Sequence, residues 1–236
     1  FVFVFLRHPG QGGETEVLTL KDCISLALQT NPLVLSSQQQ YGAALARIAQ
    51  AKALSQPSLD FDSDIQPRFF DFKGSEESYL GVSQTLEFPG KRSLRGKIAR
   101  GESEEILQDI QLLKLDLIYQ VKEAFFGMLL AQEKLRFAEQ NRDLSKDFLN
   151  KADLKFETGE VAQVEVLRAR VEAAKAETGV RRASNTILLA QSYLNFLLAR
   201  DKKESLAIKG SLDFPPLGQE LETLITRALS FRPEMK

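Results

Sequence analysis

The chain is poor in the side chains that disulfides and soft metal ions require. Its 236 residues include one cysteine, one histidine and two methionines. A single cysteine, Cys23, excludes a disulfide within the chain, and on an apolar helix face it is expected to be a small buried residue. No pair of these side chains stands at a spacing typical of zinc or copper ligands. We therefore expect no resident metal and no cofactor.

The sequence also lacks an excess of one charge and a long apolar run. It carries 31 Lys and Arg against 32 Asp and Glu. This balance argues against a nucleic-acid partner, which would favour a basic surface. No run reaches the roughly 18 apolar residues of a transmembrane helix. The longest run opens the chain, and we expect residues 1–16 to be a signal remnant or a disordered leader outside the fold.

Residues 17–56 predict two helices separated by a proline. Thr19 and Asp22 have the spacing of a capping box, and apolar residues then follow in steps of three and four. Asn31-Pro32 ends the first helix, because proline disfavours helical backbone at the residue before it. The second helix is expected to continue to about Ser55. One side of this helix is predicted to contain Tyr41, Leu45, Ile48 and Lys52.

The period changes from helical to alternating within residues 57–90. Apolar and polar residues alternate from Leu59 to Gln66 and again from Tyr79 to Phe88, which predicts two amphipathic strands. In a soluble sandwich their polar face would meet bulk water. In a membrane barrel it would line a wet lumen while the apolar face met lipid. The acidic residues predicted to line such a lumen are Asp60, Asp62, Asp64 and Glu87.

Residues 91–200 predict a long antiparallel helical hairpin. A proline-free stretch from about Lys91 to about Phe156 repeats apolar residues in steps of three and four, which is coiled-coil spacing. At 1.5 Å per residue this helix would be about 95 Å long, more than a compact domain can enclose. Such a length favours a protein that spans the space between two compartments. It therefore also favours a membrane barrel over a soluble sandwich for the two strands.

The return half of the hairpin is predicted to run from about Val161 to Ala199, after a break at Thr158-Gly159. Its apolar stripe is predicted to contain Leu167, Val171, Ala174, Ile187, Ala190, Leu194 and Leu197. Residues 201–218 are polar and contain prolines, which is typical of a connector.

The last residues, 219–236, repeat the pattern of the first helix. With Pro233 aligned to Pro32, four further identities follow. The matched pairs are Leu221 with Leu20, Ile225 with Ile24, Ala228 with Ala27, and Leu229 with Leu28. We expect a truncated second repeat to start here, so that the chain is about one of two repeats.

The order of these elements resembles the TolC-like outer-membrane factors of tripartite efflux pumps and type I secretion systems. The segments that carry the resemblance are LTLKDCISLALQTNP (18–32), ARIAQAKALSQPSLDF (46–61), VSQTLEFPGKR (82–92) and FETGEVAQVEVLRAR (156–170). The resemblance implies a mainly α fold with a small β part, in which a long coiled-coil hairpin accompanies two strands of an oligomeric β-barrel. It also implies a homotrimer in contact with outer-membrane lipid of a Gram-negative bacterium, with a large periplasmic part.

By the same resemblance the protein would be a passive export channel. It would receive substrate from an inner-membrane transporter through a periplasmic adaptor, also called a membrane fusion protein. The hairpin tip, implied to dock such a partner, consists of Phe156, Thr158, Gly159, Glu160 and Val161. The junction from strand to helix consists of Phe88, Pro89, Gly90, Lys91 and Arg92. The motif LEFPGKR is most similar to the heavy-metal efflux branch of these outer-membrane factors. Heavy-metal cations or drugs are therefore the expected substrates.

Two other classes of protein compete with a channel. A periplasmic adaptor or a coiled-coil tether without a pore would also carry a long hairpin. Further β domains should then follow, and the strands should lack a lipid-facing stripe. For an enzyme, the carboxylates of Asp60, Asp62 and Asp64 would have to bind a metal. Alternate acidic residues on one strand with no histidine nearby are more simply a lumen lining, so we expect no catalytic residues.

Overall fold

The computed structural model describes residues 17–63, 78–213, 216 and 218–232. Within these residues it contains five helices and four short strands. The chain divides into two compact units. One consists of the described residues up to Ser36 together with those from Gln111 onward, and the other of the described residues within Ser37–Ile110. The predicted leader lies outside the described residues. No helix in the described part of the chain has both the length and the apolarity to cross a membrane.

The first elements are strand β1 (Val17–Leu18) and helix α1 (Leu20–Thr30). The predicted capping box is confirmed at the start of α1. The Thr19 N–H donates to the Asp22 carboxylate at 2.9 Å, and the Asp22 N–H donates to the Thr19 hydroxyl at 3.4 Å. These bonds satisfy backbone donors that a helix N-terminus leaves without partners.

Helix α2 (Pro32–Ala51) begins directly after the predicted break at Asn31. Proline suits the first position of a helix, because its missing N–H would have no partner there. The helix ends at Ala51 and is shorter than predicted. It buries Ala44 and leaves the predicted Leu45 exposed.

Strands β2 (Ser58–Ser63) and β3 (Ser78–Ser83) form an antiparallel pair in the second unit. Leu59 stands opposite Val82, and Asp60 stands opposite Gly81. Directly opposed residues share a face of a sheet, so the predicted separation of polar and apolar faces is confirmed over these residues.

Helix α3 (Lys91–Glu157) and helix α4 (Gln163–Leu197) form the predicted hairpin. Two ion pairs join them across the hairpin: Lys146 with Glu177 at 3.5 Å and Asp153 with Arg170 at 4.0 Å. From the first pair to the second, the residue number rises on α3 and falls on α4, as an antiparallel arrangement requires.

The part of α4 that follows the tip packs through a different stripe from the one predicted. Its buried residues are Val166, Ala169, Ala173 and Ala176. These positions continue, in steps of three and four, into the buried Leu194 and Leu197 near the end of the helix. The predicted Leu167, Val171 and Ala174 are exposed, so that part of the prediction was wrong. Small side chains in the seam let the helices approach closely, and the larger residues are left outside.

The connector contains strand β4 (Ala207–Ile208), which pairs in parallel with β1. The Lys209 N–H extends this ladder by donating to the Leu18 carbonyl at 3.0 Å. Neither strand was predicted, because two residues are too few to show a period. Helix α5 (Leu221–Phe231) follows, and none of its described residues is buried.

The core of the first unit lies where α1 meets α3 and α4. Its fully buried side chains include Phe125, Met128, Leu194, Leu198, Val34, Val121 and Cys23. A Cβ atom on Gly210 of the connector would lie 2.9 Å from the Phe125 ring and 3.0 Å from Leu129 Cδ1. The connector therefore crosses this core at a distance that only glycine allows.

Candidate functional site

The apolar face of the β2–β3 pair is open to its surroundings. It consists of Leu59, Phe61, Leu80 and Val82, whose exposed fractions run from 47% to 75%. Contiguous exposed apolar surface of this kind marks a site that meets lipid or another protein.

The opposite face of the same pair is polar and acidic. It carries Asp60 and Asp62, both exposed. The Ser58 and Ser83 hydroxyls lie 2.6 Å apart, and they lie 3.3 and 3.4 Å from the Asp60 carboxylate. One hydroxyl can donate to the other and the second can donate to the carboxylate, which holds Asp60 on the polar face. The predicted Asp64 lies outside the described residues.

Glu87 does not continue this acidic face. Strand β3 ends at Ser83, whereas the alternation predicted a strand as far as Phe88. The Gln84 amide leaves the ladder and donates to the Ser55 carbonyl at 2.7 Å. The Glu87 carboxylate forms an ion pair with Arg95 of α3. The prediction that Glu87 shares a strand face with the aspartates was therefore wrong.

The junction residues Phe88–Arg92 lie between the end of β3 and the first turn of α3. Gly90 has a φ of +96°, a left-handed conformation that glycine adopts without steric cost. The Lys91 N–H donates to the Phe88 carbonyl at 3.1 Å, which closes the turn. The predicted Pro-Gly junction is thus a tight turn that starts the long helix.

The hairpin tip is exposed apart from Val161, which is half-buried. Gly159 has a φ of +78°, and the Glu160 N–H donates to the Lys155 carbonyl at 2.8 Å. This bond and the left-handed glycine form a Schellman motif, which ends α3 and satisfies its last carbonyls. The geometry presents the tip to its surroundings, and its docking role stays a prediction.

Cys23 is the one cysteine of the sequence, and it is fully buried. Burial raises the pKa of the Cys23 thiol to about 11, with the negative charge of Asp22 as the second cause. The thiol is therefore protonated at neutral pH and is a poor nucleophile. Among the described residues, no group of three or more His, Cys, Asp and Glu side chains is placed to hold a metal ion.

The long α3–α4 hairpin and the two-faced strand pair are the elements that the resemblance implied for a duct of the outer membrane. The family described as "Outer membrane efflux protein" matches residues 23–200, which is more than half of the chain. The chain therefore belongs to this family, and it is an outer-membrane protein with a large periplasmic part.

The relatives of the chain agree with this assignment. It is 26% identical over 200 residues to the cobalt-zinc-cadmium resistance protein CzcC of Cupriavidus metallidurans, covering 84% of this chain and 46% of CzcC. The CmeC outer membrane channel of Campylobacter jejuni matches with a TM-score of 0.64 and 17% identity, over 83% of this chain and 45% of CmeC. CusC matches with a TM-score of 0.67 and 17% identity, over 87% and 50%. At these identities the two structures show the fold.

The chain spans about half the length of the relatives it matches. The predicted TolC-type fold, with a half-repeat of the duct in this chain, is confirmed by the same structures. The family match supports the channel prediction and gives no support to the adaptor alternative.

Sequence reasoning missed Arg95. It treated the chain after Pro89-Gly90 as uniform helix and assigned Glu87 to the strand. The sequence did contain a signal for this contact. Glu87 lies just before the Pro89-Gly90 turn, and Arg95 lies in the second turn of the helix that follows. Such a turn brings the two side chains together.

Proposed function

We propose that this chain forms about half of a protomer of the outer-membrane channel of a tripartite efflux pump or type I secretion system. The protein acts as a passive duct across the periplasm and catalyses no reaction. The family match over residues 23–200 carries the proposal. The exposed apolar face of the strand pair and the long α3–α4 hairpin support it.

The strand pair requires further strands to function in a membrane. A bilayer tolerates strands only in a closed barrel, because each unpaired backbone group costs several kcal/mol there. The described β2–β3 sheet has two strands and hence two open edges. We propose that a second repeat and two further copies of the protein supply the remaining strands, as a homotrimer.

Heavy-metal cations are the substrates that we propose for the duct. CzcC is by its name a cobalt-zinc-cadmium resistance protein. Asp60 and Asp62 lie on the face that a barrel would turn inward. Fixed negative charges in a narrow lumen raise the local concentration of cations, which would favour cationic cargo without binding it tightly.

Planar-bilayer recordings of the purified full-length trimer test the channel directly. We expect stable conductance with a preference for cations, and a lower cation preference in Asp60→Asn with Asp62→Asn. Glu102→Gln removes an exposed carboxylate of α3 and is the matched control, for which no change is expected. A folded, detergent-extracted trimer that conducts no current would contradict the duct and support a tether.

The tip is proposed to dock a periplasmic adaptor or the inner-membrane transporter. Its exposure and its sharp turn support this role. Gly159→Pro cannot adopt a φ of +78°, so it should deform the tip and abolish export while the trimer still assembles. Export measured as metal resistance of the host, with trimer content measured on native gels, separates the two effects. Loss of the trimer would show that the tip is structural instead.

A further inference from the structure

Two short linkers join the helices of the second unit to its strand pair. Residues 52–57 connect α2 to β2, and residues 84–90 connect β3 to α3. Arg95 lies in the second turn of α3 and contacts both linkers. Its Nε donates to the Ala51 carbonyl at 3.2 Å, Nη2 approaches the Ala53 carbonyl at 3.4 Å, and Nη1 donates to the Glu87 carboxylate.

The Ala51 carbonyl, which Arg95 contacts, lies at the end of α2 and needs a hydrogen-bond donor. The last carbonyls of a helix have no partner within it, and α2 has no basic residue in its last turn. Arg95 supplies that donor from another helix. A guanidinium presents several N–H groups in a fixed plane, so one arginine can serve several acceptors at once, and a lysine ammonium does not match this geometry.

Other contacts hold the same region together. The Gln84 amide donates to the Ser55 carbonyl and so joins one linker to the other. A Cβ atom on Gly96 would lie 2.8 Å from Lys52 Cε and 2.9 Å from Lys52 Cγ. The aliphatic part of Lys52 therefore rests against α3 beside Arg95, and the end of α2 is held close to the start of α3.

We propose that Arg95 is a positioning residue that clamps the two linkers together. With both linkers held, the strand pair leaves α2 and α3 in a fixed direction. A displacement of these helices then passes to the strands and is not absorbed in the linkers. The clamp is a property of the chain itself and does not depend on the proposed substrate or on conductance.

Hydrogen exchange of the full-length trimer, read by mass spectrometry, tests the clamp. The hydrogen-bonded amides of this region are those of Lys52 and Ala53 in the first linker and of Lys91 and Leu94 at the turn that ends the second. In Arg95→Gln we expect these four amides to exchange about tenfold faster, as the loss of a charge-assisted bond implies. Arg95→Lys should give a smaller increase, because the ammonium can still pair with Glu87. Exchange in the core around Val121 should not change. Arg100→Gln, an exposed arginine of the same helix, is the matched control and should match the unmodified protein.

Glu87→Gln separates the clamp from a loss of general stability. Arg95 would still hold the Ala51 and Ala53 carbonyls, so exchange should rise at Lys91 and Leu94 and much less at Lys52 and Ala53. The double variant Arg95→Gln with Glu87→Gln should exchange no faster than Arg95→Gln alone, because both changes break one network. Additive increases, unchanged exchange at the four hydrogen-bonded amides in Arg95→Gln, or a uniform rise that includes the core would each overturn the proposal.

Discussion

Where α3 passes Phe125 and α4 reaches Leu194, large apolar side chains are fully buried; at the other end of the same hairpin, no residue from 154 to 160 is buried. We refer to the first region as the core end of the hairpin. The two regions share the same pair of helices. Packing therefore stabilises the hairpin at the core end. The side chains of the tip contribute little to stability, so their identity can serve another purpose.

The turns that end the two helices show the same contrast. Gly159 at the tip and Ala199 at the core end both have left-handed backbone, with φ of +78° and +54°. Alanine is unfavourable in this conformation. It is held there by neighbours: the Thr30 hydroxyl donates to the Leu198 carbonyl at 2.9 Å, and the Asn31 amide donates to the Leu197 carbonyl at 3.1 Å. Strained backbone persists where its surroundings over-determine it, whereas the tip needs glycine.

The largest effect that separates the two regions is expected from truncating a core aromatic. Phe125→Ala should lower the free energy of unfolding by about 3–5 kcal/mol, because it removes a buried ring and leaves a cavity. Leu154→Ala, an exposed residue next to the tip, should change it by less than about 0.5 kcal/mol. Thermal unfolding of both variants in detergent measures the difference. Equal losses would contradict the contrast.

A smaller effect is expected where the connector crosses the core end. Gly210→Ala places a Cβ atom about 3 Å from the Phe125 ring and Leu129. Such overpacking typically costs about 1–3 kcal/mol. Gly101→Ala is the control, because a Cβ atom there meets open space, and helical alanine should stabilise by roughly 0.5–1 kcal/mol. The two melting temperatures should move in opposite directions, and a stabilised Gly210→Ala would show that the connector is not held against the core.

Substitutions between glycine and alanine at the two left-handed turns should change the free energy of unfolding in opposite directions. Gly159→Ala should cost about 1–2 kcal/mol. Ala199→Gly should stabilise by less than about 1 kcal/mol, because relief of the left-handed alanine is partly offset by greater freedom of the unfolded chain. Melting temperatures of the two single variants decide this. A destabilising Ala199→Gly would mean that the alanine methyl contributes packing.

At neutral pH the smallest effect is that of Cys23, whose contribution is expected only at high pH. Its thiol has an ordinary pKa of 9.0, raised to about 11 in the folded protein. Between these values the folded state binds more protons than the unfolded state, so stability should fall as pH rises from about 9 to 11. Cys23→Ala should lose this component. Melting temperatures at pH 8, 9 and 10.5 test it, and identical slopes in both proteins would show that the core end does not shield the thiol.

The local elements could be predicted because their signals lie within short stretches of sequence. The Thr19–Asp22 spacing defined the start of α1, and the alternation around Asp60 defined the faces of β2. The seam of α4 could not be predicted in the same way. Leu167 and Val166 are neighbours and both are apolar, so the sequence offers two stripes, and only the partner helix selects one. Phe125 and Phe126 are likewise neighbours and both aromatic, and only packing in the folded protein selects Phe125 for the core.

Helices α1 and α5 show most directly what sequence determines and what it leaves to tertiary structure. Both read as amphipathic helices ahead of a proline, and both are helical, because propensity and spacing act within one turn or two. Yet α1 buries Cys23 and Ala27, while no described residue of α5 is buried. The sequence by itself determined the presence of the helices, the two faces of the β2–β3 pair and the turns at Gly90 and Gly159. Three features depend on segments that are far apart in the chain: which residues are buried, which stripe of α4 faces α3, and the contacts of Arg95. Only the packing of those segments in the tertiary structure decided these features.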